Sequence, residues 1–230
     1  MTRSLLRSLQ HRFSALCFDL DGTLIDPYPG IARSIAFALD RLGRTDIDVT
    51  DYKPFIGPPI QETFRSLLGN DERLVARGVQ YFRERYADSG LLDATPYQNI
   101  PGVLAELCTL VPLFVCTSKP TIYAEHILSA FGLDSYFAGV YGSELDGSHT
   151  NKSELLAWLI EREAPSPAGT AMVGDRALDL RAAKENGVPA FGVLWGYGSE
   201  AELVAAEATE LFTEVEELRR LISPTARVER

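Results

Sequence analysis

Apolar and polar positions along the chain follow two rhythms. Residues 15–20, Ala-Leu-Cys-Phe-Asp-Leu, form a short and nearly all-apolar run, the pattern of a strand buried on both faces. Pro27-Tyr28-Pro29-Gly30 then reads as a linker that continues neither strand nor helix smoothly. Beyond it, Ile31, Ile35, Ala38 and Leu42 recur at helical spacing, and Gly43 closes that helix. Phe55-Ile56-Gly57-Pro58-Pro59 is a rigid turn leading to a second helix with Ile60, Phe64 and Leu67 on one face. Leu74, Gly78, Phe82 and Tyr86 mark a third, at i+4 steps. The stretch 30–92 therefore predicts helices and no strand.

From Tyr97 the rhythm becomes an alternation. A helix opens at Pro101-Gly102 and runs to Leu110, followed by a buried strand over 113–116 that ends in Thr117-Ser118-Lys119-Pro120. Tyr123, Ile127 and Phe131 share a helix face, and 139–141 is a third strand before a polar loop to Thr150. Leu155, Leu156, Leu159 and Ile160 lie on the next helix. A fourth strand over 171–173 ends at Gly174-Asp175, and its helix stops at Gly187. A fifth strand over 190–194 precedes a helix around Val215, Leu218 and Ile222. Alternating strands and helices predict an α/β fold with a doubly wound, parallel, Rossmann-like sheet. The predicted core comprises residues 1–26 and 97–230, with an α-helical domain of residues 27–96 inserted after the first strand. Ligands of such sheets bind beyond the carboxyl ends of the strands, where Asp19, Asp21, Thr117 and Asp175 fall.

The formal net charge of −10 over 230 residues excludes a broad basic footprint for nucleic acid or an anionic membrane. An anionic substrate would depend on a local cation. The three cysteines, Cys17, Cys108 and Cys116, sit in apolar segments, as buried thiols of a reducing compartment do. No apolar run approaches membrane-spanning length, and the N-terminal twelve residues lack an apolar signal core. Residues 1–12 read as a tail or a turn of helix and 225–230 as a frayed end. The expectation is a cytoplasmic monomer or homodimer without nucleic-acid or membrane partners.

The chemistry concentrates in carboxylates. Asp19 and Asp21 would share a face at the end of the first strand. Asp-x-Asp-Gly is also ordinary turn chemistry. Gly174-Asp175-Arg176-Ala177-Leu178-Asp179 places two more carboxylates at a strand end and helix start, where capping alone would account for them. Gathered in one crevice, these anions call for a divalent, oxygen-loving ion, and Mg2+ suits carboxylate, water and phosphate ligands best.

The phrase Phe18-Asp19-Leu20-Asp21-Gly22-Thr23-Leu24-Ile25-Asp26 resembles the first motif of the haloacid-dehalogenase (HAD) superfamily, most of whose members hydrolyse phosphate esters. The other motif positions follow in chain order, and the resemblance spans residues 15–222. It implies that Asp19 is the nucleophile and Asp21 the general acid and base. Thr117 would bind a phosphoryl oxygen, with Ser118 in reserve for that role. Lys152 would stabilise charge, with Lys119 as its rival. Mg2+ would be held by Asp19, Asp21 (through its backbone carbonyl) and Asp175, with Asp179 orienting the metal's surroundings.

Asp21 separates the chain from the dehalogenase branch, which generally lacks it. The helical insert resembles the cap of phosphoglycolate-phosphatase and 5′-nucleotidase-like members, as does Phe55-Ile56-Gly57-Pro58-Pro59-Ile60. The implied function is an Mg2+-dependent phosphatase acting on a small phosphorylated metabolite through an aspartyl-phosphate. It would be phosphoglycolate-phosphatase-like, with a 5′-nucleotidase, another small phosphomonoesterase or a phosphomutase as alternatives. A phospho-accepting signalling module would gather similar residues, but such receivers are about half this length.

Two further signals carry less. Gly196-Tyr197-Gly198-Ser199-Glu200-Ala201 matches a dinucleotide-binding fingerprint but follows the last strand, with no further unit to supply a ribose-binding acid. His126 and His149 have no metal-ligand spacing.

Overall fold

A computed structural model describes residues 11–163 and 166–222. The expectations for residues 1–10 and for the tail at 225–230 lie outside the described residues. Among the described residues, six parallel strands form one sheet in the order β5-β4-β1-β6-β7-β8. These are β1 (Ala15–Phe18), β4 (Leu113–Pro120), β5 (Gly139–Ser143), β6 (Thr170–Gly174), β7 (Ala190–Val193) and β8 (Glu210–Phe212). β1 is central because every position of it is apolar and buried: Leu16 and Phe18 pack into one layer, Ala15 and Cys17 into the other. It pairs with β4 through Phe18↔Val115 and with β6 through Phe18↔Val173. The chain builds outward from β1 to β4 and β5, then returns to the other side for β6, β7 and β8. The reversal of strand order therefore lies at β1, the place where a doubly wound sheet opens a crevice.

Helices cover both faces. α6 (Lys152–Glu163), α7 (Ala177–Glu185) and α8 (Glu200–Ala205) bury Leu155, Leu156, Leu159, Leu180 and Leu203 in one layer. α4 (Ile100–Leu107) and α5 (Thr121–Ala130) bury Leu104 and Ile127 in the other. The chain leaves and re-enters this body through a two-stranded antiparallel ribbon, β2 (Ile25–Asp26) with β3 (Thr95–Pro96). Between them lie α1 (Tyr28–Arg41), α2 (Ile60–Leu68) and α3 (Glu72–Arg85), with a π-helical turn over Tyr86–Gly90.

Three expectations are corrected. The predicted linker at Pro27–Gly30 is already the first turn of α1, because Pro29 stands where a helix has no use for its missing N–H. A sixth strand, β8, was not predicted: Glu-Leu-Phe is three residues long and pairs only at the sheet edge. The last predicted helix is a 3-10 segment, Val215–Leu221, that packs Leu218 against the core.

Candidate active site

The carboxyl ends of β1, β4 and β6 bring together side chains that are far apart in sequence. Asp19 follows β1 and is 3 % exposed; Asp175 and Asp179, after β6, are 0 % and 1 % exposed. One oxygen from each of these three carboxylates lies within 4.8 Å of the others. Lys152, the first residue of α6, inserts its ammonium among them, 2.6 Å from Asp19 Oδ1 and paired also with Asp179. Asp179 is held further by the backbone N–H of Arg176 at 3.0 Å.

Three buried carboxylates against one ammonium leave an excess of negative charge. Burial pushes Asp175 well above the usual carboxylate range, and the neighbouring Asp179 and Asp19 push it further. Asp179 is raised for the same first reason, with Lys152 opposing. Asp179 and Asp19 hold Lys152 in its charged form against the pull of burial. Hard oxygen donors in surplus over their counter-charge are the donor set of a small divalent cation. The cluster is thus compatible with metal binding.

Asp21 takes no part in that cluster. Its Oδ1 is ion-paired with Lys119 Nζ at 2.9 Å, without the directed geometry of a hydrogen bond. Burial raises its affinity for a proton, and Lys119 acts against this. The structure therefore gives the two rival lysines separate partners: Lys152 stands on Asp19, and Lys119 on Asp21.

Thr117 lies within β4 at 1 % exposure, its Oγ1 accepting from the Lys119 N–H at 3.3 Å. Thr117 lines the same cleft as Asp19. Ser118 Oγ is buried without a hydrogen-bond partner beside it. Above these groups opens a cleft of about 760 Å³ of empty space, open to solvent. Asp19, Asp21, Thr117, Ser118 and Lys119 line its floor, and Gln61, Phe82, Arg83 and Tyr86 of the inserted helices line its roof. The inserted segment is tied to the α/β body by Arg83 Nη1, which donates to Leu145 O at 2.9 Å, and by Arg176 Nη1, which donates to Ile56 O at 2.5 Å.

The Gly-x-Gly stretch 196–198 also belongs to this site. Tyr197 N–H donates to Asp175 Oδ2 at 2.8 Å, and Trp195 Nε1 donates to Thr23 O at 3.0 Å. Gly196 packs against Gly22 and Asp175 so closely that a Cβ would meet them both. Gly22, at φ +86°, faces the same carboxylate, with room for a Cβ only inside 3 Å of Asp175. These glycines let two loops close on one aspartate. The sequence signal was present, since the motif stood out, but its meaning depended on a partner more than 20 residues away.

A family model described as haloacid dehalogenase-like hydrolase matches residues 16–193. The chain belongs to that family. A 5′-nucleotidase of Pseudomonas aeruginosa is 40 % identical over 94 % of this chain and 99 % of its own length. The tyrosine-protein kinase PtkA of Mycobacterium tuberculosis is 35 % identical over 89 % of this chain and 71 % of its own. A phosphoglycolate phosphatase of Vibrio parahaemolyticus is 28 % identical over 94 % of this chain and 99 % of its own. Among solved structures, a predicted phosphatase from Clostridium acetobutylicum superposes with a TM-score of 0.85 at 33 % identity, covering 90 % of this chain and 97 % of that one. The chain is a phosphoric monoester hydrolase of the HAD family. Its relatives' names differ in reaction while the frame is shared, so the course of the reaction has to be read from the side chains.

Proposed function

We propose that the protein hydrolyses small phosphate monoesters in two steps through a phosphoryl group carried on Asp19. The observation that supports this most is the division of labour between the lysines. Lys152 balances the charge of Asp19 at the cleft floor, while Asp21 stands apart on Lys119, which leaves one carboxylate for attack on phosphorus and a second for proton transfer.

In the first step an Asp19 carboxylate oxygen forms a bond to phosphorus. The bond from phosphorus to the ester oxygen breaks with its electron pair, and that oxygen takes a proton from Asp21 and leaves as the alcohol. In the second step a water oxygen attacks phosphorus and passes a proton to Asp21. The electron pair of the Asp19–phosphorus bond returns to the carboxylate, releasing inorganic phosphate. Lys152 and the Thr117 hydroxyl balance the charge on the phosphoryl oxygens, the electrostatic contribution that usually dominates such transfers. Asp19, Asp175 and the Asp21 carbonyl would hold Mg2+, with Asp179 fixing their surroundings. Bound there, the ion supplies the positive charge that lets two anions approach.

The inserted helices act as a cap that excludes water and selects the alcohol. The similarity to the Pseudomonas nucleotidase favours a nucleoside 5′-monophosphate over the smaller phosphoglycolate. The test is release of inorganic phosphate from a panel of monoesters, with and without Mg2+. Many turnovers, with nucleotides ahead of phosphoglycolate, support the reading. A single stable phosphorylation would make the protein a phospho-accepting module instead.

A further inference from the structure

Lys119 connects Asp21 to the inserted helices. Lys119 Nζ lies 2.9 Å from Asp21 Oδ1 and donates to Tyr86 Oη at 2.5 Å, while sitting 4.9 Å from the centroid of the Tyr86 ring. Lys119 is 8 % exposed, Asp21 7 % and Tyr86 2 %, so water does not compete for these contacts. Tyr86 begins the π-helical turn after α3 and is fixed by stacking on Phe82, with ring centroids 5.2 Å apart and planes at 13°. Tyr123, on α5, closes the other side edge-on at 5.8 Å. The phenol is therefore held rigidly from both the insert and the core.

We propose that Lys119 and Tyr86 are positioning residues for Asp21, fixing which of its oxygens exchanges a proton with the substrate and coupling that choice to the seating of the inserted helices. This rests on the reading of Asp21 as acid and base given above. The ammonium occupies the side of Oδ1, which is fully enclosed. A proton beside an ammonium is electrostatically unfavourable. With Oδ1 enclosed and taken up by the ammonium, Oδ2 is the oxygen of Asp21 left to exchange a proton. Rotation of the carboxylate would break the ion pair and leave a buried charge uncompensated, which is strongly resisted. Tyr86 fixes the ammonium in turn. When the inserted helices lift, Tyr86 leaves with them and Lys119 loses its second partner. The acid is then aligned only while the cleft is covered.

The experiment measures single-turnover release of the leaving group from two esters with Mg2+ present. One is an alkyl phosphate, whose leaving oxygen needs a proton; the other is an aryl phosphate, whose phenolate leaves without one. Asp21→Asn calibrates the assay. General acids supply roughly a hundred- to ten-thousand-fold, and that loss should fall on the alkyl ester. Lys119→Met is expected to slow the alkyl ester at least about tenfold more than the aryl ester, a part of the full effect of the acid. Tyr86→Phe, which removes one oxygen and keeps the stacked ring, should shift the ratio in the same direction by less. It keeps the test alive if Lys119→Met does not fold. The double variant Lys119→Met/Asp21→Asn should show no more ester selectivity than Asp21→Asn alone.

Equal losses for both esters in the Lys119 and Tyr86 variants, with Asp21→Asn selective, would overturn the proposal, because a structural or phosphate-binding role lowers both rates together. An Asp21→Asn variant without selectivity would instead overturn the reading of Asp21 itself, and the proposal with it.

Discussion

The Lys152 ammonium lies 2.6 Å from Asp19 Oδ1, both side chains buried, although 133 residues separate them in the chain. Neither charge is stable there alone, so each dictates the other's place. Lys152→Met should therefore do more than remove a phosphate contact. Loss of one preorganised charge of this kind typically costs about 10²–10³ in turnover. We expect at least that loss, equal for alkyl and aryl esters, because phosphoryl charge is the same in both. Single-turnover release of the leaving group from the folded variant checks it; a selective loss on alkyl esters would exchange the roles of Lys152 and Lys119.

Removal of divalent ions with EDTA should abolish turnover, and Mg2+ should restore it. The cluster of Asp19, Asp175 and Asp179 carries more negative charge than Lys152 can balance, and a phosphate dianion would add to it. Full activity in metal-free protein would remove the metal from the account.

Gly22→Ala should weaken metal binding and the fold together. Its Cβ would fall inside 3 Å of the Asp175 carboxyl group, and φ +86° strains any side chain. A loss of about 1–3 kcal/mol in stability is expected from the strain. The Mg2+ concentration for half-maximal activity should rise as well, since Asp175 must move. Thermal unfolding and an Mg2+ titration read the two effects. A variant with lowered stability and an unchanged Mg2+ requirement would detach Gly22 from the metal site.

Substrate ranking should respond to Gln61 and Arg83, which line the roof of the cleft, and not to Arg65, which pairs with Glu72 on the outside at 2.8 Å. Gln61→Ala and Arg83→Ala should reorder a panel of monoesters while leaving Mg2+ dependence intact. Arg65→Ala should preserve the order. Uniform loss across the panel would place specificity elsewhere.

Much of the sheet was legible in the sequence because burial on both faces writes continuous apolar runs, as at β1 and β6. The edge strand β8 was not, since three residues at an edge need no such run. The ribbon of β2 and β3 was hidden for a related reason: two residues on each side carry no periodicity. The aspartates of the site stood out because strand ends and turn residues are local signals. Their partners did not. Nothing near Lys119 in the sequence announces Tyr86 or Asp21, and nothing near Tyr197 announces Asp175. Those pairings are made by the order of the strands, which an isolated motif does not encode.

The central claim is that phosphorus is bonded to Asp19 during turnover, and Asp21→Asn offers the direct view of it. An aryl phosphate should still phosphorylate Asp19 in this variant, because its phenolate needs no proton. Hydrolysis of the intermediate should be slow, because the water has lost its base. Acid quenching after mixing, followed by intact mass and peptide mapping, should find one added phosphoryl group on the peptide that contains Asp19. Its formation should keep pace with phenolate release, and Asp19→Asn should abolish it. Phenolate release without any phosphorylated protein, at rates fast enough to have trapped one, would contradict the account.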